Sequence, residues 1–224
     1  MSTDKVLNGR KEKMSSSWGD FNARQIIAYA ENNKQSKESH FTALQERYNS
    51  LMLEILNSKE HVLLEKDRRA GATQLLATFC VANCLANDNY SVGVKFTTFE
   101  SLCYFRKKCF GAFERLKGNN PLYKEYVNTT NQKRLFFKNG STIYLGKERQ
   151  PCLKGCHLNL IVFDEANYQK YFARELASYK KELLSESKVI IVTDDPEVIY
   201  NKLKEENGLQ DFRDSLVRLQ LPKL

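Results

Sequence analysis

The chain has 224 residues, with 35 Lys and Arg against 27 Asp and Glu for a formal net charge of +8, and a mean hydropathy of −0.54. That length suits one large domain, or a domain with a small appendage, able to bury a real core. The polar N-terminus shows no signal peptide, and no apolar run approaches the ~18 residues of a membrane span. Six cysteines in so long a chain do not make the disulfide framework of a small secreted protein, so a reducing, cytoplasmic setting is expected. The charge is spread along the chain. A modest basic excess suits contact with polyanions without requiring it, so function has to be read from sites.

Residues 1 to about 40 read as a polar arm containing Met14-Ser15-Ser16-Ser17 and a short helix from Phe21 to about Asn33. Residues 41–224 read as one domain. A longer helix is predicted from Phe41 to Asn57, with Leu44, Tyr48, Leu51, Met52 and Ile55 on one face. His61-Val62-Leu63-Leu64 is a buried strand leading straight into Glu65-Lys66-Asp67-Arg68-Arg69-Ala70-Gly71-Ala72-Thr73, and Gln74 to Leu85 has helical apolar spacing. Strand, glycine-containing turn and helix form the setting of the phosphate-binding pattern G-x-x-x-x-G-K-[ST]. Gly71 and Thr73 match that pattern, but Ala72 stands in the lysine slot. Such a loop is either inactive or takes its positive charge from elsewhere. The helix N-terminus adds free amides and a favourable field toward an anion.

Further along, Ser91 to Phe96 reads as a strand and Phe99 to Leu116 as a helix carrying Arg106, Lys107 and Lys108. Asn139-Gly140 between Lys133–Lys138 and Ser141–Leu145 signals a hairpin, because its tight turn needs φ > 0. Leu160–Phe163 and Lys188–Val192 are continuous apolar strands, with a helix from Tyr171 to Leu184 between them. Helices alternating with fully apolar strands indicate an α/β fold with a mainly parallel central sheet flanked by helices. The strand at 160–163 ends in Asp164-Glu165 and that at 188–192 in Thr193-Asp194-Asp195-Pro196. Ligands of open α/β sheets bind at these C-terminal strand ends. Past Pro196 a helix and a terminal strand, Leu216 to Leu221, are expected, the strand completing the sheet. Cys152-x-x-x-Cys156-His157 lacks a second ligand pair, Cys80 and Cys84 read as core thiols, and Tyr104, Phe105, Phe110, Phe113, Phe136 and Phe137 read mainly as core.

Tyr48-Asn49, the 67–73 loop, Asn139-Gly140-Ser141, Lys154-Gly155, Asp164-Glu165 and Thr193-Asp194-Asp195-Pro196 follow one another in an order that resembles the ATPase domain of the large terminase subunit of tailed phages. The resemblance runs from about Tyr48 to Pro196. It implies a P-loop NTPase fold of the ASCE type with a helical N-terminal extension, and a motor that couples ATP hydrolysis to translocation of double-stranded DNA into a procapsid. Some terminases of the lambda type carry the lysine at the start of the loop, where this chain has Lys66. Carried over, the resemblance assigns Lys66 and the amides of Arg69, Ala70, Gly71, Ala72 and Thr73 to the β/γ-phosphates of ATP. Thr73 and Asp164 become ligands of Mg²⁺, and Glu165 activates the attacking water. Arg68 or Arg69 stabilises transition-state charge, alone or with an arginine from a neighbouring subunit. Tyr48-Asn49 meets the adenine, with Asn49 replacing the family's Gln, and Thr193 senses the γ-phosphate, with Asp194 and Asp195 replacing hydroxyl residues.

The resemblance further implies double-stranded DNA, a portal and a small terminase-type subunit as partners. It also implies a homo-oligomeric ring when active, work in the cytoplasm of the infected bacterial host, and no membrane. The chain ends soon after Pro196, so no nuclease domain is expected in it: it is either a stand-alone ATPase subunit, with a separate nuclease subunit as a partner, or an excised domain. A relative with the same fold that kept nucleotide or DNA binding and lost turnover is the rival reading, supported by Ala72, Asn49 and Asp194-Asp195.

Overall fold

The structure is a computed structural model that describes residues 50–52, 54, 55, 58, 60–67, 70–117, 127, 128 and 133–221. The expected N-terminal arm, Tyr48-Asn49 and the arginine pair at 68 and 69 lie outside the described residues. The elements in chain order are β1 (Val62–Glu65), α1 (Ala72–Ala86), β2 (Ser91–Phe96), α2 (Phe99–Lys117), β3 (Val127–Asn128), β4 (Arg134–Phe137) and β5 (Thr142–Lys147). Then come β6 (Leu158–Phe163), α3 (Phe172–Tyr179), β7 (Leu183–Thr193), α4 (Pro196–Glu205), α5 (Gln210–Asp214) and β8 (Val217–Gln220). They form one eight-stranded sheet in the order β3-β4-β5-β2-β6-β7-β1-β8. All neighbours are parallel except β3–β4 and β4–β5.

The apolar runs of β1 and β6 are continuous because each strand is covered on both faces. Val62, Leu64, Leu160 and Val162 pack with α1 and α2 in one core. Their neighbours in the chain, Leu63, Ile161 and Phe163, point the opposite way into a second core with Phe172, Leu176, Ile199 and Leu203. A period of two thus feeds two hydrophobic layers from one strand. Cys80 and Cys84 are buried among the first, as expected, and burial pushes both thiols up.

Three expectations need correcting. The helix expected from Tyr171 to Leu184 is α3, ending at Tyr179; a short 3-10 turn covers Lys180–Glu182 and Leu183 already belongs to β7. The pairing of Leu183 with Leu158 supplies its backbone with a sheet partner, which outweighs the helical spacing of the two leucines. One helix was expected after Pro196 and two are present, separated by a turn at Gly208 with φ 82. Strand β3, a two-residue antiparallel partner of Phe136 and Phe137, was not anticipated. By contrast β8 does complete the sheet, lying parallel to β1 with Leu64 opposite Leu219.

The hairpin at Asn139-Gly140 is present, with Gly140 at φ 82, and its purpose here is to close the end of α1. The Asn139 amide donates to the carbonyls of Cys84 and Asn87, at 2.8 and 3.0 Å, and the Ser141 hydroxyl donates to Asn87 at 2.6 Å. These are carbonyls that a helix C-terminus leaves without a partner. The contact lies at the N-terminal end of β2, where Ser91 pairs with Thr142, and so at the opposite end of the sheet from the strand tips at Asp164 and Thr193.

Candidate active site

The site forms where β1 and β6 end. Beyond Glu65 the chain keeps its sheet contact for one more step, the Lys66 amide donating to the Thr193 carbonyl at 2.8 Å. The loop then turns, and Gly71 enters α1 in the left-handed region at φ 76. A side chain there would be strained, which is why glycine stands at that step. Helix α1 begins without a side-chain cap and has no acidic residue in its first turn, so its initial amides keep their positive field. Ala72 is buried in the first core. The lysine of the usual pattern is therefore replaced by a packing residue, and the charge has to come from another direction.

Lys66 stands at the start of the loop. Its Nζ lies 3.2 Å from Oε1 of Glu165, with the two side chains 11% and 42% exposed. The Thr73 hydroxyl, in the first turn of α1, donates to Oδ2 of Asp164 at 3.3 Å. Residues separated by most of the domain thus meet in one cluster: Lys66 from the loop, Thr73 from α1, and Asp164-Glu165 from the tip of β6. Glu165 is itself left-handed, at φ 56, and starts a 3-10 turn over Ala166–Tyr168. That conformation is costly for a residue with a Cβ and turns its carboxylate out of the strand toward Lys66.

Asp164 is 4% exposed, and its Oδ1 has no hydrogen-bond partner among the described residues. Burial pushes its carboxyl up to about 6; Lys66 opposes that rise, the Glu165 charge adds to it, and the Thr73 hydrogen bond opposes it. An unpartnered buried carboxylate oxygen beside a threonine hydroxyl is a donor set fit for a small hard dication. Magnesium takes one or two protein oxygens and leaves the rest of its shell to phosphate and water. Among the described residues no group of three or more His, Cys, Asp or Glu could hold a metal alone. The pair is thus suited to a metal that arrives with phosphate.

The raised carboxyl has a consequence for pH. A carboxyl whose folded value lies above its unfolded one favours the protonated fold: its stability contribution is full below the unfolded value of ~3.9 and is lost as pH rises through about 6. A bound dication needs the ionised form. Affinity for metal–nucleotide is therefore expected to drop on acidification through pH 6, approaching tenfold per unit below it. Isothermal titration calorimetry between pH 5 and 8 checks this; a flat profile would show that Asp164 is not a ligand.

Thr193 is fully buried at the tip of β7, but its hydroxyl is committed to the turn, donating to the Asp195 carbonyl and accepting from the Asp195 amide, both at 2.9 Å. It borders the site through its carbonyl. Asp194, one residue on, accepts from Asn167 Nδ2 at 2.6 Å and from the Tyr168 hydroxyl at 2.9 Å, and so ties β7 to the turn behind Glu165. Asp195 caps α4 through the Val198 amide.

Reading the sequence missed several supporting groups. Gln169 is fully buried, with Nε2 donating to the carbonyls of Asp164 at 2.8 Å and Lys95 at 3.3 Å. Lys95 is also fully buried; Nζ donates to the carbonyls of Lys147 and Gln150 and lies 3.1 Å from Glu175 Oε2. A lone lysine inside the apolar strand Ser91–Phe96 was the available signal, since a buried charge needs a partner. Lys95 thereby fixes the turn after β5, beside which a cavity of about 310 Å³ is lined by Arg149, Lys154, Arg174, Tyr171 and Glu175. The basic helix α2 is less clear-cut: Phe105 and Phe113 are core, whereas Tyr104 is 52% exposed with the Lys108 ammonium 4.9 Å from its ring. Cys152 and Cys156 are free thiols.

In the sheet, β7 lies between loop-bearing β1 and acid-bearing β6. An extra strand between those two, with a phosphate-type loop and an acidic pair at adjoining tips, defines the ASCE class of P-loop NTPase folds. Neither a protein-family model nor a curated protein matches the sequence. Solved structures do match. The HK97 bacteriophage large terminase aligns with a TM-score of 0.62 and 13% identity over 88% of this chain and 43% of its own. The ATPase domain of the Thermus phage P74-26 large terminase aligns at 0.53 and 14% over 75% and 78%. The large terminase of a thermophilic bacteriophage aligns at 0.52 and 16% over 75% and 44%. The fold is that of the ATPase domain of phage large terminases. The chain spans less than half the length of two of these proteins and most of the isolated ATPase domain. Among the described residues no helix is long and apolar enough to cross a membrane.

Proposed function

We propose that this chain is a terminase-like ATPase that couples ATP hydrolysis to movement of double-stranded viral DNA into a procapsid. The observation that carries this reading is the Lys66 ammonium 3.2 Å from Glu165, beside the Thr73–Asp164 pair. That arrangement supplies from the loop's start the charge that Ala72 cannot. In this reading Lys66 and the amides of Ala70 to Thr73 bind the β- and γ-phosphates, with Thr73 and Asp164 holding Mg²⁺. The metal, when bound, neutralises charge developing on the phosphates. Glu165 accepts the proton of the attacking water, and Arg68 or Arg69 stabilises the transition state. Thr193, with its hydroxyl held by the turn, contributes position rather than a direct contact. Tyr48-Asn49 is assigned to the base.

Nucleotide binding draws support from the large terminase of the thermophilic phage, which shares the fold and forms a complex with ATP-γ-S. The basic cavity at Arg149, Lys154 and Arg174 opens at the same end of the sheet and offers a surface for DNA phosphates. A portal, a small terminase-type subunit, a separate nuclease subunit, a ring assembly and the host cytoplasm complete the proposed setting. The test is phosphate release by the purified protein with and without double-stranded DNA. Stimulation by DNA is expected. Binding of ATP without turnover, with DNA and the packaging partners present, would instead favour the rival assembly protein.

A further inference from the structure

Glu165 sits in a left-handed conformation that its own backbone disfavours, so something beyond the residue has to hold it. The turn that follows exposes three carbonyls, those of Ala166, Asn167 and Gln169, to one side chain from outside. Nζ of Lys202, on the second turn of α4, donates to all three, at 3.4, 2.7 and 2.9 Å. An ammonium has three protons and no acceptor, and here each proton has a carbonyl. Ala166 and Gln169 are fully buried, and their carbonyls also accept from the Gln169 and Phe172 amides, so Lys202 adds to these local bonds the one that joins the turn to α4. Burial lowers the Lys202 pKa and the Glu148 carboxylate opposes that, so a charge is kept in this place against a desolvation cost. Meanwhile the side chains of the same turn, Asn167 and Tyr168, are bound from the other direction by Asp194 at the tip of β7.

We infer that Lys202 is a positioning residue for the hydrolytic step: it clamps the 166–169 turn and so fixes the direction of the Glu165 carboxylate. The inference rests on the reading of Glu165 as the base of an ATPase. Lys202 bonds to the turn and acts through it. The clamp also joins the catalytic carboxylate to α4.

The experiment compares Lys202→Met, Lys202→Arg and Glu165→Gln in the full chain, using ATP turnover and ATP affinity well below the melting temperature, and thermal unfolding measured separately. Lys202→Met is expected to lower kcat tenfold or more while KM for ATP changes less than twofold. Lys202→Arg, which keeps charge and donors, is expected to recover much of that loss. Amide exchange at 166–169 is expected to rise in Lys202→Met only. A fold-stabilising lysine with no positioning role would instead lower the melting temperature and leave kcat unchanged, which overturns the inference. If Lys202→Met does not fold, an arginine variant with wild-type exchange but a tenfold lower kcat also overturns it. Should Glu165→Gln turn over like the unaltered protein, the ATPase reading fails first and takes the inference with it.

Discussion

Glu165→Gln is expected to lower ATP turnover by ~10²–10⁴-fold, the range for losing a positioned general base, while nucleotide still binds. Gln has the same shape, so the left-handed turn and its attachments to Asp194 and Lys202 are retained. Binding is expected to hold or tighten for an electrostatic reason. The Lys66 ammonium is paired with Glu165 at 3.2 Å in the structure, and phosphate must compete with that carboxylate for it. Removing the carboxylate charge frees the lysine. It also removes a like charge that raises the Asp164 carboxyl, so Asp164 ionises more readily and the metal site is strengthened. Loss of turnover with intact or tighter ATP binding, read by steady-state kinetics and fluorescence with a labelled nucleotide, is the expected pair of results. A parallel loss of both would show that Glu165 holds the nucleotide and is not the base.

Lys66→Ala is expected to lower turnover by ~10²–10³-fold, the scale of losing one preorganised charge at a transition state, and to weaken ATP binding at the same time. Both effects follow from position. Lys66 is held at its root by the Thr193 carbonyl, and its side chain is 11% exposed, where solvent screens little. The substitution has a second consequence with a defined sign. Lys66 holds the Asp164 carboxyl down, so its loss raises that carboxyl above about 6. The pH at which metal–nucleotide affinity falls should move upward in Lys66→Ala. A variant with unchanged turnover would place the essential cation elsewhere, with Arg68 and Arg69 the neighbouring candidates. Restoring lysine at position 72 offers no simple rescue, because Ala72 is packed into the first core.

Much of this arrangement was legible beforehand. The apolar strands, Gly71 and the Asp164-Glu165 tip carry local signals that do not depend on the rest of the chain. The resemblance to phage terminase ATPase domains was carried by the order of short motifs, and the shared fold bears it out although sequence identity is only 13–16% with the structures compared. What escaped was whatever depends on a distant partner. Leu183 and Leu184 continue a helical pattern yet Leu183 begins a strand, because Leu158 offers it a ladder partner. Lys202 and Gln169 carry no local signal, because the carbonyls they donate to lie on other elements. Thr193 was assigned by motif to a phosphate, whereas its hydroxyl is used by its own turn.

The sequence by itself determined the alternation of strand and helix, the turn chemistry at Gly71 and Gly140, and which residue types stand at the strand tips. Periodicity and glycine's conformational freedom act over a few neighbouring residues, so they can be read there. Only the tertiary structure decided that Lys66 reaches Glu165, that Thr73 meets Asp164, and that Asn139-Gly140-Ser141 closes α1 at the far end of the sheet. Those outcomes depend on the placement of β7 between β1 and β6, which sets the distance between loop and acids. Strand order is a long-range choice among many possible pairings. No local segment encodes it alone.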